Sequence, residues 1–313
     1  MIKEKKPSSL KTAKRKDLIF YIIMIAFPVL QFLVMYVYVN INSIMLAFQE
    51  FNRESNQFEF IGFENIVKVI DEFSTSYTMQ HAFNNSLLVW FLCTIISLPL
   101  ALLFSYFLYK KFPFEKLFKF SLFLPSMISG IVTVIIYTYF VERAIPALAS
   151  MIFQEEISGL LANPTTQFIT VLFYNVFYSF GGYILLFLGA MNNVSQETKD
   201  AAKLDGAEGI KEFYYIVFPE VYSTMSTFLV LSVAGIFMNQ FSLYSFYGVA
   251  ASSEIITFGY LLYSITSVAT EAEYPRLAAI GLLLTIITVP ITLLVKKGLE
   301  KIGPKEWWYE EKE

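Results

Sequence analysis

The chain has 313 residues, 56% of them hydrophobic and only 16% charged, with a formal net charge of −3. Soluble domains carry about 25% charged residues, so this composition excludes an ordinary soluble protein and, with no basic excess, a nucleic-acid binder. The single cysteine, Cys93, and the single histidine, His81, cannot build a disulfide framework or a Cys/His zinc centre, and no metal site is expected.

Residues 1–17 are a basic segment that opens MIKEKKPSSLKTAKRK. The apolar run behind it is longer than the ~7–15 residues of a signal-peptide core and has no A-x-A-like site after it, so it reads as an uncleaved first helix. Six runs reach the ~20 residues a bilayer span needs: Leu18–Val39, Leu87–Tyr109, Leu117–Phe140, Phe168–Met191, Thr224–Tyr247 and Leu277–Val295. Apart from Lys119 at the entry of the third, they contain no Asp, Glu, Lys or Arg. Between the first two, GFENIVKVIDEF places Phe63, Ile66, Val67, Ile70 and Phe73 at near-helical spacing, the pattern of an amphipathic helix on a membrane surface. A second short surface helix is expected around residues 155–164, EEISGLLANP. His81 reads as a solvated or capping residue before the second span. The tail KEWWYEEKE offers Trp307 and Trp308 either to the interface or to packing.

Lys and Arg set the orientation. With the N-terminus in the cytoplasm, nineteen basic residues fall in cytoplasmic segments and four outside: Arg53, Lys68, Arg143 and Arg276. That is a positive-inside distribution. The expected fold class is therefore an all-α membrane protein with six transmembrane helices and both termini cytoplasmic, its spans lying within residues 18–295 and a cytoplasmic tail at 296–313.

The spans lack the ionisable residues that mark proton relays and voltage sensors. The chain has no G-x-x-x-x-G-K-[ST] phosphate loop. Uphill transport would therefore draw its energy from another subunit, through a cytoplasmic surface. The loop between spans four and five, about residues 192–221, is polar and structured. Ser195 suits an N-cap and Glu197 the first turn of a helix that carries Ala201, Ala202 and Leu204. Gly206 suits the left-handed residue after it. A second helix follows, with Ile210, Phe213, Tyr214 and Val217 on one stripe, and Pro219 closing it.

This loop resembles the signature of permease subunits of binding-protein-dependent ABC importers: E-A-A, three residues, Gly, nine residues, Ile, one residue, Leu-Pro. Here it stands as Asp200-Ala201-Ala202, Gly206, Ile216 and Phe218-Pro219, with Asp for Glu and Phe for Leu. GFENIVKVI, NNSLLVW and LFKFSLFLPSMISGIVTVIIYTYF look like the corresponding parts of maltose and multiple-sugar permeases, and the basic N-terminus and KKGLEKIGP look like the first member of a permease pair. The resemblance implies a multi-pass protein of the bacterial cell membrane that is not itself an enzyme. Its partners would be a second permease, two ATP-binding subunits that hold ATP and Mg, and an extracytoplasmic solute-binding protein. The cargo would be a carbohydrate, an oligosaccharide. It also implies that the loop is a coupling helix, with Asp200, Ala201, Ala202, Gly206, Ile216 and Pro219 at the ATPase contact. Asn175, Tyr178, Ser179, Ser232 and Asn239 fall where the maltose-type permease contacts sugar. Hydrogen bonding between helices is the other reading of those side chains. A permease for polyamine, phosphate or amino acid shares the loop signature, and a stand-alone channel or secondary carrier is the rival from outside the class.

Overall fold

The computed structural model describes residues 10–154 and 157–304. The described residues divide into two compact units, one of those up to residue 70 with 270–282, the other of those in 71–269 and from 283 on.

In the first unit, α1 (Leu10–Phe32) runs through a π-helical turn (Leu33–Tyr38) into α2 (Val39–Leu46). From Leu18 to Met45 its long apolar side chains are exposed, Val37 only partly, as expected where lipid is the solvent. A hairpin follows, β1 (Gln49–Asn52) pairing antiparallel with β2 (Gln57–Phe60), so the chain is not purely helical. The Asn52 side chain turns it, accepting from the backbone N–H of Glu54 and Ser55 and donating to Glu59. Helix α3 (Glu64–Thr75) is the amphipathic helix expected there, with Phe63, Val67 and Ile70 exposed. Buried Asn65 ties it to the chain before the hairpin through the carbonyls of Ala47 and Gln49.

The second unit is built on α4 (Tyr77–Tyr109) and α8 (Pro164–Asn192). Ser76 caps α4, accepting from Met79 N–H, so the helix starts well before Leu87. His81 thus lies within α4, its ring 3.9 Å from that of Tyr77, rather than ahead of it. Ala101 and Ser105 are fully buried, and the Ser105 hydroxyl reaches the carbonyls of Ala101 and Ile184. Small side chains let two membrane helices approach and bond in this way. Leu98, Leu108, Phe180, Ile184, Phe187, Met191, Val217 and Val221 complete the core.

Six helical stretches are long and apolar enough to cross a membrane: Asp17–Leu46, Tyr77–Tyr109, Gly130–Phe153, Pro164–Asn192, Ile210–Ala234 and Tyr274–Ile302. All differ from the sequence reading at one end or both, and the third and fifth differ in build as well. The apolar run Leu117–Phe140 is not one helix. It is α5 (Glu115–Met127), a break in which Ile128 and Ser129 are extended, then α6 (Gly130–Tyr139), a π turn (Phe140–Ala144) and α7 (Ile145–Phe153). Hydropathy measures how greasy a run is and is blind to a backbone corner inside it. This third stretch also carries Glu142 and Arg143. The Glu142 carboxylate accepts from Leu161 and Ala162 N–H, and Arg143 lies over the Tyr139 ring. Of the surface helix expected near 155–164, the described residues 157–163 form none: they are turn and irregular chain leading to the Asn163 cap of α8.

The fifth stretch begins earlier than expected. The turn α10 (Ile210–Glu212), a π turn (Phe213–Val217) and α11 (Phe218–Ala234) form one continuous rod. Pro219 does not close a helix. It sits in the first turn of α11, where the widened winding before it takes up the missing donor and the ring. Residues 235–242 are not regular helix. Short α12 (Leu243–Tyr247), then α13 (Phe258–Thr266) and α14 (Tyr274–Ile302) follow. Trp307 and Trp308 lie outside the described residues.

Candidate functional site

The break in the fifth stretch makes a cavity. Non-helical backbone at membrane depth survives only where protein covers it or it lines a wet space. Here the chain from Gly235 to Ser242 is held by side chains. The Asn175 amide donates to Phe241 O at 3.1 Å and accepts from the Ser242 hydroxyl at 2.9 Å. Asn239 Oδ1 accepts from Phe241 N–H at 2.8 Å. Fully buried Thr257 donates to Asn239 O at 2.6 Å and caps α13 by accepting from Tyr260 N–H. These bonds hold Phe241 and Ser242 at positive φ, a costly conformation for residues with a Cβ. Gly259 of α13 lies so near that a Cβ there would stand 2.5 Å from the Met238 backbone.

The cavity between α4, α8 and this segment measures about 200 Å³. Helical spacing builds its walls: Trp90, Cys93, Thr94 and Ser97 from α4; Asn175, Ser179 and Tyr183 from α8; Ser232, Gly235, Ile236 and Asn239 from α11 and the break. No lining residue carries a charge. Of the five residues singled out for solute contact, Asn175, Ser179, Ser232 and Asn239 meet here. Tyr178 does not: its ring stacks on Tyr174, and its hydroxyl faces Gly130 at the break between α5 and α6. Sequence reasoning missed Trp90, Thr94, Ser97 and Tyr183. The stripe Trp90–Thr94–Ser97 in an otherwise greasy span was the available signal.

The second region is the loop at 192–217. Ser195 caps α9 (Gln196–Leu204), accepting from Thr198 N–H at 3.1 Å. Hydrogen bonds from its own backbone N–H and from Ser195 hold the exposed Glu197 carboxyl below its ordinary pKa. The helix ends as Gly206 requires: at φ +74° it carries the chain round while Gly206 N–H bonds to Lys203 O and Ala207 N–H to Ala202 O. Asp200 and Ala201 are exposed, and Asp200 is bonded to Gln196. Ala202 is buried, so only one of the two alanines faces out. Ile216 and Pro219 are half-buried. The apolar stripe expected on the following helix is rotated apart by the π turn: Val217 is buried and Phe213 packs on the core, while Ile210 and Tyr214 are exposed.

Three contacts fasten this loop to the end of α4. Lys110 pairs with Glu212 at 2.6 Å, and the Glu212 side chain is only 6% exposed. The Tyr106 hydroxyl donates to Gly209 O at 2.7 Å. Lys199 stands over the Tyr109 ring at 4.8 Å, a favourable cation–π distance.

Residues 97–297 match the model of the family described as the binding-protein-dependent transport system inner membrane component. The arabinooligosaccharides transport system permease protein AraP of Bacillus subtilis is 28% identical over 302 residues, covering 93% of each chain. Its counterpart in Halalkalibacterium halodurans is 25% identical, covering 88% of this chain and 86% of that one. A chain of a bacterial ABC transporter involved in the import of the acidic polysaccharide alginate has the same fold, with a TM-score of 0.78 at 17% identity, over 95% of this chain and all of that one. A structure of the bacterial alginate transporter in complex with an alginate pentasaccharide-bound periplasmic protein aligns with a TM-score of 0.71 at 18% identity, over 93% of this chain and 96% of that one. With the family match covering most of the cavity lining, the loop and three of the six membrane-crossing stretches whole, the chain belongs to the family of inner membrane components of binding-protein-dependent transport systems.

Proposed function

We propose that this chain is one permease subunit of an ATP-driven importer, and that its cargo is an oligosaccharide delivered by an extracytoplasmic binding protein. The observation that carries the reading is the cavity. It lies against a broken helix, the arrangement that transporters use for solute, and its lining combines hydroxyls, amides and aromatic rings without a charge. That chemistry suits a solute rich in hydroxyl groups and disfavours phosphate, polyamine or amino acid. The sugar permeases among the relatives point the same way.

The loop is the energy input. Leu204 and Ile210 flank Gly206 and are 90% and 85% exposed. Apolar side chains so exposed on a polar loop are the mark of a surface awaiting a partner. With the termini and this loop cytoplasmic, as the Lys and Arg distribution argues, the partner is an ATP-binding subunit that carries ATP and Mg. A second permease, and two ATP-binding subunits in all, complete the assembly. Asp200, Ala201 and Gly206 form the docking corner. Ala202, Ile216 and Pro219 support it from beneath.

Gly206→Pro tests this. Proline cannot adopt the positive φ of Gly206, so the corner must open. The expected result is a complex that still reaches the membrane but whose ATP hydrolysis no longer drives uptake. Wild-type uptake of labelled saccharide by this variant would refute the reading.

A further inference from the structure

The start of α11 is fastened to the end of α14. Tyr222, in the second turn of α11, donates its hydroxyl to Leu299 O at 2.8 Å, and Gly303 lies so near that a Cβ there would stand 2.6 Å from the Tyr222 ring. Next to this contact the two helices leave a second cavity, of about 270 Å³. Ser226, Thr227, Val230 and Leu231 line it from α11, Lys296 and Glu300 from α14, and it shares no residue with the cavity at the helix break. Its polar groups are not used up by one another. Ser226 Oγ is buried without a hydrogen-bond partner among the described residues, a costly state for a hydroxyl. Thr227 donates to Ser223 O at 2.9 Å and keeps its lone pairs. Lys296 Nζ and Glu300 Oε1 stand 3.8 Å apart, beyond the ~2.7–2.9 Å of a charge-assisted hydrogen bond. Their side chains are 59% and 36% exposed, so each charge has room for another partner. A loose ion pair and an unsatisfied hydroxyl in one cavity suit a ligand that carries both signs of charge and oxygens that accept.

The depth of these groups in the membrane narrows the choice. Lys296 is the first charge after the apolar run that ends at Val295, so the cavity lies at headgroup level. Glu300 stands one turn further on, about 5.4 Å nearer the water. Helix α11 runs the other way, so Val230 and Leu231 lie about one turn deeper than Ser226 and Thr227. From the membrane outward the cavity therefore offers apolar side chains, then hydroxyls with a cation, then an anion. A phospholipid with an ethanolamine headgroup presents acyl chain, phosphate and ammonium in that same order. A free phosphate has no use for the apolar floor, and a helix of another subunit brings no charge pair of this arrangement by default.

We infer that the cavity between α11 and α14 is a site for a phosphatidylethanolamine, its phosphate held by Lys296 and the Ser226 hydroxyl, its ammonium by Glu300, and its first methylenes by Val230 and Leu231. By the Lys and Arg distribution this is a lipid of the cytoplasmic leaflet. Basic pockets between membrane helices on that side hold lipid headgroups, and here the carboxylate selects among them. Phosphatidylglycerol brings no cation to Glu300. Phosphatidylcholine brings a cation without an N–H to donate. The site is separate from the cargo cavity and from the loop, and its occupant is neither cargo nor subunit.

The test uses the full membrane complex, purified and delipidated in detergent, and native mass spectrometry. Dioleoyl phosphatidylethanolamine, phosphatidylcholine and phosphatidylglycerol are offered in equal amounts. The wild-type complex is expected to retain the ethanolamine lipid about tenfold over either competitor, the scale of one hydrogen bond to a charged group. Lys296→Gln should cut that retention by a similar factor. Glu300→Gln should erase the preference over phosphatidylcholine. Ser226→Ala removes a hydroxyl with no partner in the described protein, so its loss breaks no bond there, and retention should still fall. The site is overturned if the wild-type complex retains the three lipids alike, or if Lys296→Gln and Ser226→Ala retain the ethanolamine lipid as the wild type does. Displacement by millimolar phosphoethanolamine overturns it in favour of a free headgroup. A wild-type complex that retains none of the three overturns it too, and leaves the cavity to a neighbouring subunit. None of these readouts depends on transport, so each outcome leaves the importer reading as it stands.

Discussion

The two regions that matter both end a helix, and they do so by opposite means. At Gly206 the backbone satisfies itself: Gly206 and Ala207 return their N–H groups to carbonyls of the turn before. At residues 235–242 the backbone is satisfied from a distance, by Asn175 on α8 and by Thr257 at the start of α13. The first device is local and needs one glycine. The second needs three separated parts of the chain to be folded already. A corner of the first kind can present itself to a partner as a unit, whereas a break of the second kind can change shape only if its neighbours move too.

That contrast can be broken by experiment. The largest effect is expected at the joint between the loop and α4. Lys110→Met leaves Glu212 buried without its partner, and breaking such a pair by removing one side costs about 3–5 kcal/mol. Thermal unfolding of the purified complex should shift markedly downward, and Lys110→Arg should recover most of the loss. An unshifted transition would mean that the pair does not fasten the loop. Next comes Asn175→Ala, which strands Phe241 O and the Ser242 hydroxyl at about 1–3 kcal/mol for each unsatisfied group. Uptake and thermal stability should fall together, as expected of a structural residue. A selective loss of uptake with stability intact would instead make Asn175 a solute contact. The smallest effect is expected from Ser195→Ala, about 1 kcal/mol from a lost N-cap. Faster hydrogen exchange should then be confined to the first turn of α9, and a change spreading to residues 235–242 would show that the two regions are not independent.

Legibility follows the same division. Ser195, Glu197 and Gly206 were readable because capping is decided within a few residues, and α9 starts and ends where they place it. The helices around the cavity were readable as apolar runs, and Asn175, Ser179, Ser232 and Asn239 do meet at one space. Three features were hidden. The π turn at Phe213–Val217 shifts the helical phase, so the stripe through Ile210 and Tyr214 faces outward and Pro219 is carried inside a continuous rod. The corner at Ile128–Ser129 lies inside an unbroken apolar run. Tyr178 shares a helix with Asn175 and Ser179, but its ring turns toward Tyr174 instead of the cavity. Each depends on side chains or backbone phase that a count of apolar residues does not carry.

One length of backbone joins the two regions. Helix α4 carries the cavity wall at Trp90–Ser97 and, at its far end, Tyr106 and Tyr109, with Lys110 as its C-cap. Ser97 and Lys110 are about 20 Å apart along the helix at ~1.5 Å per residue. Between them stands Pro99, which has no N–H to return to the Ile95 carbonyl, so the ladder lacks a rung there. The helix is therefore a lever with its elbow next to the cavity: a tug at Lys110 reaches Ser97 only after passing the point where α4 bends most easily.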